Sequence, residues 1–426
     1  MRNRSVRLLL LVVILCPICV ASSQTIVDKN LLADILKIKA IDNHSHAMPF
    51  KMPEASDGER LDPIGKTSIG FPVRLRVPNT EYIQAWQALY GYKHSDMGTD
   101  HAREALKAKV DIMKEKGEGY PSWVLDQAGI EAVLVNMPSL GPGQNAPRFL
   151  WVPRADGFLF PLGGDEERIN WFRSEVRLHA QPGTLDEYLD TIRMRLDQWK
   201  MAGTPAIKFA VAYLRPLDFA PVPSDEAQRA FLRCRESKKL SVGDSKTLQD
   251  FLFFFIAREA GRRGLAVQIH TGIGAEPYFN ISGSNPMLLE RALNDTSLRQ
   301  TKFILLHCGW PFTREAGALL MKPNIFVDFS TASLVFPPEA LSNILQGWLE
   351  WFPEKVLFGT DAYPENTPLA NWDEKTWLAS RTSREALALA LTRMMKEGQL
   401  TRSRAVELAR MVMHDNAASL YRIENH

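Results

Sequence analysis

From residue 130 onward, short runs rich in β-branched and aromatic residues alternate with longer amphipathic stretches, and no other feature of the chain restricts its fold as much. The runs are IEAVLVNM, GFLFPLG, AIKFAVAY, LAVQIHTG, KFILLHCG, NIFVDFST and KVLFGTDA. Between several of them lie helical patterns such as LDEYLDTIRMRLDQWKMAG and TLQDFLFFFIAREAGRRG, the second ending in a glycine suited to a helix C-cap. With IKAIDNHSH as the first strand, the count of strands reaches eight. Near-continuous apolar strands joined by crossover helices imply a parallel sheet buried on both faces. Eight such units predict an α/β fold of the closed (β/α)8 TIM-type barrel kind. An open doubly wound sheet would accept the same order, but no Gly-rich phosphate turn follows the first strand.

About eighty residues separate the first strand from the second, more than one crossover helix uses, so a long insertion is expected at about 48–120. Its first part is rich in Pro, Gly and charge, while TEYIQAWQALYGY and HAREALKAKVDIMKEKG read as helices. Leaving the C-terminal end of strand one, it is expected over the barrel mouth as a lid or substrate wall. Residues 376–422 read as extra C-terminal helices that close the barrel.

Ahead of all this, MRNRSVRLLLLVVILCPICVASSQ carries three arginines, an apolar run from Leu8 to about Val20 and small residues where a signal peptidase could cut. Residues 1–23 are read as a signal peptide and 24–426 as one barrel domain. The expected location is therefore secreted or periplasmic. The apolar run is shorter than the ~20 residues of a spanning helix, so no stable membrane insertion is expected after cleavage; an uncleaved run would anchor the chain. Neither Cys16 nor Cys19 follows the small residue that lipoprotein processing requires. Cleavage leaves Cys234 and Cys308, too few for a disulfide framework. A net charge of +2 and the absence of a basic block beyond the N-terminus argue against a nucleic-acid partner. The expected partner is a small-molecule substrate, and a homo-oligomer stays open.

The strands end in a particular kind of residue: His44 and His46 in AIDNHSH, Lys208 in AIKFAVAY, His270 in LAVQIHTG, His307 in FILLHCGWP, Asp361 in VLFGTDAYP. In a barrel the C-terminal strand ends converge on one spot, so residues distant in sequence can share a site. Histidines at i and i+2 of an extended chain project to one side, where both imidazoles can reach one cation at roughly 2.0 to 2.2 Å. A single strand-end histidine is more often a hydrogen-bonded structural residue, and Lys208 could simply pair with Asp361. The set is harder to dismiss. Five of the nine histidines fall in loops, helices or the tail, and the other four all end strands.

This order, HxH on strand one, Lys on four, His on five, His on six and Asp on eight, resembles the amidohydrolase superfamily over about residues 39–422. QIHTGIG, GSNPMLLERAL, LLHCGWPF and FGTDAYP look more narrowly like the amidohydrolase-2 branch, and closest to the amidohydrolase-like domain fused to glutamine synthetase in some proteins. The pattern departs at Leu214, which separates Tyr213 from Arg215.

The resemblance implies a divalent cation, Zn2+ by preference and Mn2+ by compatibility, held by His44, His46, His270 and Asp361. It implies that Asp361 also takes the proton of an attacking water, and that His307 stabilises the developing oxyanion or acts as acid. Lys208 would either stay a cation beside a single metal or be carbamylated to bridge two, with His270 and His307 then moving to the second. Trp310 and Arg215 are the expected substrate contacts. The expected reaction is metal-dependent hydrolysis of an amide, lactone or ester bond; a metal-dependent decarboxylase of the same branch is the alternative.

Overall fold

The computed structural model describes residues 27–52, 72–76, 79–163, 167–178, 182–236, 241–365 and 367–424. The run read as a signal peptide lies outside them, as do residues 53–71 and 77–78 of the insertion. Among the described residues no helix is long and apolar enough to cross a membrane. Cys234 and Cys308 are both buried and free.

Eight strands follow one another: β1 Ala40–Ser45, β2 Ile130–Val135, β3 Phe149–Trp151, β4 Ala206–Phe209, β5 Ala266–His270, β6 Phe303–Leu306, β7 Ile325–Asp328 and β8 Val356–Leu357. Every pair in the ladders β1-β2-β3 and β4-β5-β6-β7-β8 is parallel. Two seams join the ladders into a barrel. At one, Lys208 N donates to Pro153 O at 2.9 Å and Ala155 N to Lys208 O at 2.8 Å, with Arg154 and Lys208 as parallel partners. At the other, Asn43 N donates to Phe358 O at 2.9 Å, Asp361 N to His44 O at 2.8 Å and His46 N to Ala362 O at 2.9 Å. The chain is thus an α/β barrel of eight parallel strands.

One expected strand is displaced. GFLFPLG, read as strand three, contains instead the 3-10 turn Asp156–Leu159, and the strand is Phe149–Trp151, upstream of it. The run is apolar because the turn is packed: Phe158 and Leu159 are buried, and Gly157 lies so close to the Phe172 carbonyl that a Cβ would not fit. The Asp156 carboxylate accepts from Ala210 N at 3.0 Å, which fastens the turn to the end of β4. Burial produces the same composition in a turn as in a strand, and periodicity cannot separate them at this length.

Alternation along the strands divides the interior. Ile41, Leu134, Ala206, Ala266, Ile304 and Leu357 pack together with Tyr421 of the helix Asn416–Tyr421. Two positions further along their strands stand Asn43, Lys208 and Gln268, all buried. Polar groups there are tied to each other: Gln268 Nε2 donates to Asn43 O at 2.9 Å, and Tyr421 OH to Asn43 Oδ1 at 2.5 Å. An apolar layer therefore carries a polar one on its C-terminal side, where the strand-end residues lie.

The helices expected in the insertion form at Glu81–Tyr90 and Thr99–Lys116. Neither helix contributes to the lining of the cavity at the strand ends; Tyr82, Trp86, Ala102 and Leu106 pack with Leu369, Ala370 and Leu378 around the start of the helix Trp372–Lys396. Lys109 is buried there, donating to Asp373 Oδ1 at 2.8 Å, Glu374 Oε1 at 2.9 Å and Pro368 O at 2.6 Å. Tyr90 OH donates to Glu374 at 2.6 Å and Tyr120 OH to Asp373. At Asp373 burial is outweighed by Lys109, and the carboxyl is held down at about 2. Burial and the adjacent Asp373 push the Glu374 carboxyl up to about 8. Removing the ammonium would leave the Asp373 carboxylate unpaired out of water, and breaking a buried pair in this way costs about 3–5 kcal/mol. Lys109→Met is expected to lose that much in urea unfolding, and a loss below about 1 kcal/mol, the scale of an exposed pair, would show that water reaches the cluster.

Candidate metal centre

The first strand does not run straight into the site. Its register against β2 slips between Asp42 and Ser45. Asp42 holds the slipped backbone, accepting from His44 N at 3.2 Å, Thr360 N at 2.9 Å and Thr360 Oγ1 at 2.6 Å. The strand is thereby bound to the loop that carries Asp361. His44 Nε2 and His46 Nε2 each lie 3.3 Å from the same oxygen, Asp361 Oδ1. Among the described residues, His44, His46 and Asp361 are the group whose ligand atoms all fall within 4.8 Å of one another.

His307 closes the other side. Its backbone N donates to Asp328 Oδ1 at 2.8 Å, and its Nδ1 lies 2.9 Å from Ser330 Oγ, 3.0 Å from Thr331 Oγ1 and 3.6 Å from Asp361 Oδ2. Thr331 Oγ1 also donates to Asp361 Oδ2. With Nδ1 engaged, Nε2 is the nitrogen His307 can offer to a ligand. Lys208 Nζ sits 3.2 Å from His44 Nε2. His270 stands next to His307, ring centroids 4.5 Å apart, but its Nε2 is 3.0 Å from Ile273 O. The structure thus brings three of the four expected ligands onto one point and leaves His270 beside it.

Three of these residues hold uncommon backbone conformations: His307, Thr331 and Asp361 have φ of 66°, 60° and 52°. Such conformations cost of order 1–3 kcal/mol each and persist only where surrounding contacts impose them. Here the contacts are those just described, and the three strained residues touch one another.

Electrostatics suit a cation. Burial, aided by Lys208, lowers His44 and His270 to about 3, and burial takes His307 well below its ordinary value. Burial works against the Asp361 carboxylate, but His307 and the hydrogen bonds from His44 and His46 outweigh it and hold the group well below the usual carboxylate range. Neutral imidazoles and an ionised carboxylate are the forms that ligate metals. Burial lowers Lys208 to about 8 against the pull of Asp361. His46, Lys208, His270, His307 and Asp361 line one end of a cavity of about 630 Å³. Its walls include Arg154, Arg168, Trp171, Phe172 and Tyr213, and the described insertion contributes Pro72 and Leu75.

A family model described as amidohydrolase, Amidohydro_2, matches residues 192–423, more than half of the chain. The chain belongs to the amidohydrolase-2 family. Protein fluG of Emericella nidulans is 27% identical over 228 residues, 51% of this chain but only 25% of that protein, so this amidohydrolase-2 chain matches about a quarter of that relative's length. Among solved structures, a Lactobacillus casei protein described as a metal-dependent hydrolase superposes with a TM-score of 0.64 at 18% identity, covering 92% of this chain and 97% of that one. Uronate isomerase from Thermotoga maritima gives 0.65 at 15% identity, covering 92% and 96%, and glucuronate isomerase from Caulobacter crescentus 0.62 at 14%, covering 93% and 94%. At these identities the likeness is one of fold.

Two expected substrate contacts of the amidohydrolase lie outside the cavity lining. Trp310 is 37% exposed and packs edge-on against Phe336, ring centroids 5.5 Å apart. Arg215 turns away toward the helix Val242–Arg262, 2.7 Å from Asp250, with its guanidinium 4.3 Å over the Phe219 ring. Arg215→Ala is expected to lower thermal stability, because Asp250 is buried and loses a partner, while metal content and turnover stay near wild type. A large fall in turnover at unchanged fold would return Arg215 to the site.

Three residues of the centre escaped sequence reading: Asp328, Ser330 and Thr331 from NIFVDFST. Their signal was present, since this strand also ends in polar residues next to its C-terminus.

Proposed function

We propose that this chain is a metal-dependent hydrolase that cleaves an amide, lactone or ester bond of a small polar substrate, with the cation held by His44, His46 and Asp361. The observation that carries this is the convergence of His44 Nε2 and His46 Nε2 at 3.3 Å on one Asp361 oxygen. Three imidazole and carboxylate donors on strand ends suit Zn2+, and Mn2+ is compatible with the same set. When bound, such a cation supplies Lewis acidity, making water a nucleophile near neutral pH and polarising a carbonyl.

The chain's own residues do the rest. Asp361, with Oδ1 turned to both histidines and Oδ2 tied to Thr331, is placed to accept the proton of an attacking water. Thr331 and Ser330 engage Nδ1 and fix the His307 ring, so its free Nε2 is held in place as an acceptor for a cation or a substrate proton without having to reorient. Lys208 adds a donor beside His44.

Purified protein would be assayed for metal content and then offered dipeptides, N-acyl amino acids, lactones and aromatic acids. Products that gain the elements of water are expected. Release of CO2, or isomerised product of unchanged mass, would overturn hydrolysis in favour of a lyase or an isomerase.

A further inference from the structure

We propose that the substrate carries a carboxylate group and that the Arg154 guanidinium receives it. This rests on the cavity at the metal centre being the substrate site. Arg154 and Lys208 are direct partners across the seam between β3 and β4, so their side chains leave the barrel wall on the same face. Lys208 reaches the centre, 3.2 Å from His44 Nε2, and Arg154 lines the same cavity next to it.

The guanidinium is built in rather than loose. Its Cζ lies 4.3 Å from the centroid of the Trp171 ring, and the side chain is 12% exposed. Glu175 accepts from Nε at 2.8 Å and from Nη2, leaving Nη1 without a protein partner among the described residues. An arginine held by one edge on an aromatic face presents its other edge in the planar geometry that pairs with a carboxylate. Glu175 is itself buried, fixes the arginine and lies outside the cavity lining, so it orients the cation without occupying the space a ligand would take. Arg168, the other guanidinium of the lining, is paired with Glu276, whose carboxylate shares the cavity and would repel an anion there, whereas the partner of Arg154 lies outside the lining, which favours Arg154 as the anion receptor. Trp171 and Phe172 beside it offer an apolar wall for a planar body.

Calorimetry with benzoate and its neutral isostere benzamide tests this on the metal-loaded protein. Benzoate is expected to bind about tenfold or more tightly than benzamide, the scale of a hydrogen-bonded charge pair. Arg154→Met should abolish that preference and Arg154→Lys should restore part of it. Glu175→Gln releases the guanidinium from its competitor, so it should tighten benzoate binding, a gain that a purely structural ion pair would not give. Equal affinity for the two probes, an undiminished preference in folded Arg154→Met, or weaker benzoate binding in Glu175→Gln would overturn the proposal. If Arg154→Met does not fold, the Glu175→Gln and Arg154→Lys results decide. No turnover is measured, so a failure here is separate from a failure of the hydrolase reading.

Discussion

Replacing His44 and His46 together by alanine is expected to yield a folded protein that no longer binds metal. Both Nε2 atoms point at one carboxylate oxygen, so the pair supplies two of the three donors that converge, and a single carboxylate does not retain a transition metal against competing water. The fold should survive, because the strands are held by apolar clusters in which neither histidine takes part. His44 is fully buried, so its truncation removes packing as well as a ligand and some stability will be lost. Circular dichroism alongside elemental analysis separates the two effects. A folded double variant with full metal occupancy would falsify the assignment of the centre.

The second large effect is expected at Asp361. Asp361→Asn keeps the size of the side chain, and asparagine accepts a positive φ as aspartate does, so the backbone at 52° need not change. The substitution removes the proton acceptor and weakens one donor to the cation. Turnover should fall by ~10² or more, the scale of a positioned general base. Metal content should fall less than in the histidine double variant, because both imidazoles remain. Near-wild-type turnover in folded, metal-loaded Asp361→Asn would take Asp361 out of proton transfer and remove the main support for hydrolysis.

The barrel was legible in the sequence because each crossover repeats one physical unit, an apolar strand buried on both faces followed by an amphipathic helix. Its metal-facing histidines were legible for a related reason: topology fixes where strand ends go, so type and position together were informative. What escaped has identifiable causes. Reading GFLFPLG as strand three put the strand end about ten residues too late, and Arg154, which follows the true strand β3, was passed over as a loop residue. The placements of Arg215 and Trp310 depend on which way a loop turns, which residue type and spacing do not record. His270 ends its strand as expected, but the turn at Ile273 brings a carbonyl onto its Nε2, a contact that no spacing rule anticipates.

The seam between β8 and β1 has a consequence for the molecule as a whole. His44 and His46 come from the first strand and Asp361 from the segment after the last, so the donors that converge lie over three hundred positions apart in the chain. A cation there would be a clasp on a ring, fastening the two free ends of a sequence of repeats in addition to the ladder hydrogen bonds, the Asp42–Thr360 contacts and the apolar layer that join them. Occupancy is then coupled to the integrity of the whole ring through binding linkage. Chelation should loosen the barrel first where its beginning meets its end, and hydrogen exchange at the amides of Asn43, His46 and Asp361 would register that opening before any other strand gave way.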